Sequence, residues 1–360
     1  MQNVLVTGGA GFIGSNFVRF LLHNEPAITI VNLDVLTYAG RLENISDLEI
    51  DERYHFVRGN ICNIKIVSEI FHQYHIDTVV NFAAETHVDR SIKNPGQFIQ
   101  TNIVGTYTLL EAARRAWLGE KTVPLAQARF HQISTDEVFG SLNPGEPAWN
   151  ELSPYAPNSP YSASKASSDH LVRAYSQTYG LPSSITNCSN NYGPYQFPEK
   201  MIPLAILNAL EGKPIPIYGD GNQVRDWLYV EDHCAAIHQV IKKGGIGDTY
   251  AVGGDNQTRN LELVNMICEI LDEIMPDSEN TPHSSLVVHV PDRPGHDRRY
   301  AMDMQRINAE LGWRPQYSLY DGLQKTIHWY LDHQEWIRQI KKNTDFKSWL
   351  VMNYSDRGKK

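Results

Sequence analysis

The 360-residue chain has only four cysteines, Cys62, Cys188, Cys234 and Cys268, and no two share a C-x-x-C spacing. That scarcity excludes a disulfide scaffold and the usual zinc-site spacings, so no metal is expected and the thiols read as reduced. Positive charge is also in deficit: 32 Lys and Arg against 41 Asp and Glu leave a net charge of −9. Such a balance gives no electrostatic footprint for nucleic acid or an anionic membrane. The basic end, Arg357-Gly358-Lys359-Lys360, is too short to alter this and reads as a solvated tail. Missing as well is any apolar run of the ~18 residues that a membrane helix needs. The N-terminus enters an apolar strand at once, without the charged, apolar and small-residue succession of a signal peptide. A soluble, cytoplasmic protein is the expectation.

What the chain does have is rhythm. Short strand-like runs at 4–7, 28–33, 55–57, 78–82, 130–134 and 184–187 alternate with helical apolar spacing at 12–23, 64–74, 102–117 and 162–179. This alternation predicts an α/β fold, a Rossmann-like doubly wound parallel sheet with helices on both faces. After Asn190, clusters such as Asn191-Tyr192-Gly193-Pro194 and Gly219-Asp220-Gly221-Asn222 break the pattern into shorter pieces. The expected division is a dinucleotide-binding domain over 1–190, with 229–252 packed onto it, and a smaller second lobe over 191–360. Helical spacing resumes at 201–210, 231–241, 261–274 and 323–330, while 277–285 reads as a polar loop.

Gly9-Ala10-Gly11-Phe12-Ile13-Gly14 follows the first strand-like run and opens the first helix, and Asp34 ends the second strand. Glycines in that context permit a tight turn and close approach of backbone amides to a pyrophosphate, at a helix end whose dipole favours negative charge. Asp34 would accept from the adenosine ribose and repel a 2′-phosphate, favouring NAD over NADP. The candidate cofactor residues are therefore Gly8, Gly11, Phe12, Ile13, Gly14 and Asp34. At later strand ends come Asn60, Ile61, Ala83 and Ala84, and Thr37, Thr101 and Asn190 complete the set. The plainer alternative is a glycine turn that only packs helix against sheet.

Tyr161 and Lys165 are four apart at the start of a helical pattern, so their side chains share one face. A neighbouring ammonium favours phenolate, so Lys165 is expected to lower the phenol pKa and make Tyr161 a base toward a sugar or alcohol hydroxyl. Upstream, Ser134-Thr135-Asp136-Glu137 puts a hydroxyl and two adjacent carboxyls where a strand-like run ends. At a strand end of a dinucleotide fold, such a pair suits general acid and base work, provided their pKa values differ. Consecutive residues of a regular strand point to opposite faces, so both carboxyls can serve one substrate only if the strand ends or twists there.

With these residues in hand, the chain resembles the extended short-chain dehydrogenase/reductase group and, within it, the dTDP-glucose 4,6-dehydratase family. The resemblance spans nearly the whole sequence. It is carried by Gly8 to Gly14, Ala83-Ala84-Glu85-Thr86-His87-Val88-Asp89-Arg90-Ser91, Ser134 to Val138, Tyr161-Ser162-Ala163-Ser164-Lys165, Asn190 to Pro194 and Asp292-Arg293-Pro294-Gly295-His296. It implies a bound NAD and oxidation at sugar carbon 4 with Tyr161 as base, assisted by Lys165 and Thr135. Elimination of water across carbons 5 and 6 follows, by Glu137 as base and Asp136 as acid. It also implies sugar contacts from Thr86, His87, Thr135, Asn191, Glu199, Lys200 and Tyr300, and a diphosphate held by Arg225 and Arg293. Pro216 and Tyr218 would border the base, with Asn260 and His296 supporting the nucleotide. A homodimer through the 102–117 and 162–179 helices is implied too. Small departures stand at Asn60, where aspartate is usual, at Phe139 for tyrosine and at Thr86 for serine; none removes a catalytic group. A nucleotide-sugar 4-epimerase shares the fold but has no use for the Asp136-Glu137 pair, and a non-catalytic NAD-binding regulator would need neither that pair nor Tyr161 and Lys165.

Overall fold

The computed structural model describes residues 1–292 and 296–342, so Arg293 and the basic end of the chain lie outside the described residues. The strands are β1 Asn3–Thr7, β2 Thr29–Asp34, β3 Tyr54–Arg58, β4 Thr78–Asn81, β5 Arg129–Thr135, β6 Ser183–Cys188 and β7 Asn190–Tyr192. There follow β8 Ile215–Tyr218, β9 Val224–Tyr229, β10 Thr249–Val252, β11 Gln257–Arg259 and β12 Val287–Val290. Seven form one parallel sheet in the order β10-β6-β5-β4-β1-β2-β3. The chain winds outward from β1 through β2 and β3, then returns to β4 on the other side. That reversal opens a crevice beyond the carboxyl ends of β1 and β4, where ligands of open α/β sheets sit.

The period of two along β1 builds two cores at once. Leu5 packs on one side with Val31, Leu33, Val79 and Phe130 under Phe71, Leu109 and Trp117. Val4 and Val6 pack on the other with Ile30, Val80 and Ile133 under Phe17, Val18 and Leu21. Each such fully buried side chain contributes roughly 1.5–3 kcal/mol of transfer free energy, so the sheet is held firmly from both faces.

The helices Phe12–Asn24, Ile64–Tyr74 and Pro160–Tyr179 lie where their apolar spacing predicts. Asn63 caps the second, its side chain accepting from Lys65 N and Ile66 N. The third begins at a Ser159 capping box and stops at Gly180, whose φ of 71° is left-handed. The pattern over 102–117 differs from a regular helix: only Thr106–Ala113 is α-helical, with π-helical turns at Ile99–Gly105 and Arg114–Gly119. Tertiary ties hold the first of these. The Asn102 amide accepts from Glu85 N at 2.9 Å and donates to Ser164 Oγ at 2.8 Å, linking this run to the loop after β4 and to the Pro160–Tyr179 helix.

After β6 the sheet pieces are short, β11-β9-β7 and β12-β8. The segment 229–252 supplies the helix Val230–Lys243 and β10, which pairs with β6 in the large sheet. A third core gathers Tyr192, Ile206, Leu263, Ile267, Leu323, Ile327 and Tyr330. Two short helices, Gln305–Leu311 and Gln334–Lys342, lie outside the expected patterns. The second has only Trp336, Ile337 and Ile340 buried, too few apolar positions to stand out in a charged segment. Among the described residues no helix is long and apolar enough to cross a membrane.

Candidate active site

A cleft of about 540 Å³ runs along the carboxyl ends of the large sheet's strands. At one end its wall is backbone. Gly8 has φ +71°, and a Cβ there would lie 2.7 Å from Ala83 N; a Cβ on Gly14 would lie 2.4 Å from Gly8 O. The helix that follows is capped by Gly11 with no side-chain hydrogen bond and carries no acid in its first turn. Its leading N–H groups are thus left to an anion. Asp34 closes β2 and is 7% exposed. Its carboxylate accepts from Ala10 N at 3.0 Å and Leu36 N at 2.8 Å. Burial raises its pKa against the pull of these amides. Gly11, Phe12, Ile13, Thr37, Asn60, Ile61, Ala83, Ala84, Thr101 and Asn190 all line the same cleft. Asn60 turns its amide oxygen to Cys62 N at 2.8 Å, serving the local turn as well.

At the other end the wall is made of buried polar side chains. β5 stops at Thr135 and a 3₁₀ turn, Asp136–Phe139, begins, with Thr135 Oγ1 accepting from Glu137 N at 3.3 Å. The turn exits through Gly140 at φ +89°, where a Cβ would meet Ala156 O at 2.5 Å. Because the strand ends between Thr135 and Asp136, the opposed directions of a regular strand do not apply, and both carboxyl residues line the cleft. Asp136 is 2% exposed. One of its oxygens accepts from Thr135 Oγ1 at 3.3 Å, and Oδ2 has no hydrogen-bond partner among the described residues. Burial, then the Glu137 charge beside it, pushes Asp136 well above the carboxylate range, with Arg225 opposing.

Tyr161 and Lys165 line the cleft opposite this turn, but one expectation about them needs correction. Burial, followed by the Glu137 carboxylate, pushes the phenol well above its ordinary pKa, and a hydrogen bond with Thr135 pulls the other way. The net shift of the phenol in the protein is upward. The Lys165 ammonium donates to Ile133 O at 2.6 Å, and burial pushes its own pKa down while Asp169 and Cys188 push it up. Burial of the phenol is the dominant influence on its pKa.

Thr86, Asn191, Glu199 and Lys200 also line the cleft. Burial raises the Glu199 pKa against Lys200 and Arg90; Arg90 reaches Glu199 at 3.2 Å and covers the Tyr38 ring at 3.9 Å. His87 lies behind this group, 3.9 Å from Glu199, and does not line the cleft. Nor do the remaining expected nucleotide and sugar residues that are described, Pro216, Tyr218, Arg225, Asn260, His296 and Tyr300. Pro216 and Tyr218 belong to β8, with Tyr218 edge-on to His296 at 6.2 Å. Arg225 is buried on β9, donating to Val224 O and Asp297 O and lying 4.2 Å over the Tyr300 ring. Asn260 Oδ1 is buried with no hydrogen-bond partner among the described residues. Sequence reasoning missed Tyr38, Glu85, Gln97, Cys188 and Gln196 of the cleft wall. No spacing signals them, since each comes from a loop, a strand end or, for Gln97, the short helix Pro95–Phe98, brought in by the fold. Asp169, behind the wall, did have a signal: it follows Lys165 by one helical turn, as Lys165 follows Tyr161.

With the glycine turn and the Tyr161-Lys165 face opening on one cleft of a doubly wound sheet, the architecture is that of an extended short-chain dehydrogenase/reductase. The chain belongs to the family described as GDP-mannose 4,6 dehydratase, whose model matches residues 5–326. It is 54% identical over 364 residues to the dTDP-glucose 4,6-dehydratase of Salmonella typhimurium, covering 99% of this chain and 100% of that one. The dTDP-glucose 4,6-dehydratase of Bacillus anthracis, solved in complex with NAD, superposes with a TM-score of 0.83 at 43% identity, covering 94% of this chain and 100% of that one. The UDP-glucose 4-epimerase of Thermotoga maritima, solved with UDP-glucose, superposes with a TM-score of 0.79 at 29% identity over 92% of this chain and 99% of that one.

Proposed function

We propose that the protein is an NAD-dependent dTDP-glucose 4,6-dehydratase, a hydro-lyase that converts dTDP-glucose to dTDP-4-keto-6-deoxyglucose and water. The observation that carries this reading is the Asp136-Glu137 turn sharing one cleft with Tyr161. The glycine turn fits the cofactor, since Gly8 and Gly14 leave no room for a Cβ against the backbone and so keep the turn tight at an uncapped helix start. When bound, NAD would supply positive charge and an acceptor for the hydrogen and electron pair of sugar carbon 4, to be given back at carbon 6.

Tyr161 takes the proton of the carbon 4 hydroxyl, with Thr135 hydrogen-bonding the same oxygen and Lys165 adding positive charge from below. The resulting ketone acidifies carbon 5. Glu137 removes that proton while Asp136, kept neutral by burial, protonates the departing carbon 6 hydroxyl. Glu137 then returns its proton to carbon 5, and the protein is restored when Tyr161 releases the proton it gained and Asp136 takes one up, through solvent, before the next turnover. Thr86, His87, Asn191, Glu199, Lys200 and Tyr300 are assigned to the sugar. Pro216, Tyr218, Arg225, Asn260, Arg293 and His296 are assigned to the nucleotide, and the residues of the glycine end to NAD. The thymine nucleotide is chosen because the full-length relative at 54% identity is a dTDP-glucose enzyme. We assign 1–190, with 229–252, to cofactor binding and 191–360 mainly to the nucleotide sugar.

A homodimer in the cytoplasm completes the reading. Ile99, Val104 and Tyr107 on the helical run after Pro95, with Tyr179 on the next long helix, present exposed apolar surface, and all four cysteines are free. Light scattering at the mass of one chain would count against the dimer. Purified protein given dTDP-glucose tests the activity: a 4-keto product that has lost water supports it, dTDP-galactose would indicate epimerisation, and bound NAD without turnover would indicate a regulator.

A further inference from the structure

Asp169 is a buried acid to which the mechanism above gives no task. It lies one helical turn beyond Lys165 and is 2% exposed, behind the cleft rather than on its wall. Its Oδ2 accepts from Ser134 Oγ at 2.5 Å, Tyr155 OH at 3.1 Å and Asn187 Nδ2 at 3.4 Å. Its Oδ1 has no hydrogen-bond partner among the described residues. Three neutral donors from three elements, β5, the loop before the helix and β6, converge on one oxygen. That arrangement fixes a carboxylate in place and stabilises its charged form. Lys165 needs such a charge: it is equally deep, and Asp169 is the largest influence opposing the loss of its proton.

We propose that Asp169 is a positioning residue for the reaction, its anchored carboxylate keeping the Lys165 ammonium charged beneath the Tyr161 phenol without touching substrate. The inference rests on the roles given above to Tyr161 and Lys165. The other titratable groups around the pair are Cys188 on β6, Tyr155 on the loop, and His170, whose ring lies 5.3 Å from that of Tyr155. Burial lifts the Asp169 carboxyl to about 6, against the pull of Lys165 and the three donors. As pH falls through that value the carboxylate is lost, and Lys165 loses the charge that offsets its burial. Activity should therefore show an acid limb belonging to Asp169.

Asp169→Asn keeps the shape and removes the charge. It should lower kcat roughly tenfold or more, within the ~10²–10⁴ that a positioned acid or base contributes, while KM for dTDP-glucose changes little and the acid limb disappears. Tyr155→Phe removes one donor and keeps the charge, so the limb should move to higher pH. A purely structural role would change thermal stability and leave the pH profile where it was. The second readout does not depend on turnover. In protein labelled with ¹³C at aspartate carboxyls, one resonance should titrate near 6, vanish in Asp169→Asn, and shift to higher pH in both Tyr155→Phe and Lys165→Met. Absence of dTDP-glucose turnover by the unaltered protein, with this titration and its shift in Lys165→Met intact, would sink the proposed activity alone. An Asp169 resonance indifferent to Lys165→Met, or an unchanged acid limb in either Tyr155→Phe or a folded Asp169→Asn, would overturn the role of Asp169.

Discussion

The two ends of the cleft are built from different materials. At the β1 end the chemistry is in the main chain: glycines without Cβ atoms, an uncapped helix start and one carboxylate bound to two amides. At the β5 end it is in side chains that burial has pushed from their ordinary pKa values, Asp136, Tyr161, Lys165 and Asp169. A backbone site tolerates no added atom but needs no tuning. A side-chain site tolerates conservative changes of shape and fails when a charge or proton is displaced.

Substitutions can break or sharpen this contrast. Tyr161→Phe keeps the ring and removes the proton acceptor, and should lower kcat by ~10²–10⁴ with the fold intact. Retention of more than a tenth of wild-type kcat would deny the β5 end its dependence on protonation. Glu137→Gln should slow elimination by roughly 10² while leaving some oxidation of carbon 4. Reduced-cofactor absorbance without water loss would show it; dehydration at the wild-type rate would remove Glu137 from the mechanism.

At the β1 end, Gly14→Ala places a methyl 2.4 Å from Gly8 O. Overpacking of this kind costs ~1–3 kcal/mol, so a lower melting temperature and loss of NAD on gel filtration are expected. A variant that keeps both would mean that the cradle is looser than its geometry. The smallest effect concerns stability. The Asp136 pKa is raised in the folded protein, so the folded state holds its proton where the unfolded chain has released it. Stability from this group is therefore present at low pH and falls as pH rises above the ordinary carboxyl range, by at most about 1.4 kcal/mol per pH unit. Asp136→Asn should then be inactive yet gain in relative melting temperature from pH 5 to pH 8. Parallel curves would place Asp136 outside the buried, neutral state.

How much of this was legible follows the same division. The six strands preceding β7, the glycine turn and Asp34 are local patterns, in which a few consecutive residues carry both the element and its use. The Tyr161-Lys165 pair is legible for the same reason, both residues lying on one turn of one helix. The phenol's pKa was misjudged because the balance between an ammonium and burial is a property of the surroundings. The π-helical turns around Thr106–Ala113 were missed because Asn102 holds its place through Glu85 and Ser164, neither of them near it in sequence. Arg225 offers a sharper case. The resemblance implies a diphosphate contact for it, and only the structure shows it buried on β9 against Tyr300.

By itself, the sequence determined the doubly wound sheet, the place of the dinucleotide turn and the residue types for oxidation and elimination, because each is written in short periodic segments. Only the tertiary structure decided that Asp136 and Glu137 share one cleft, by ending β5 at Thr135 and starting a 3₁₀ turn. It also decided their electrostatics, by burying Asp136, Tyr161 and Lys165 beside a few charged neighbours, Glu137, Arg225 and Asp169. Protonation depends on what lies around a side chain in three dimensions, and no local pattern records that.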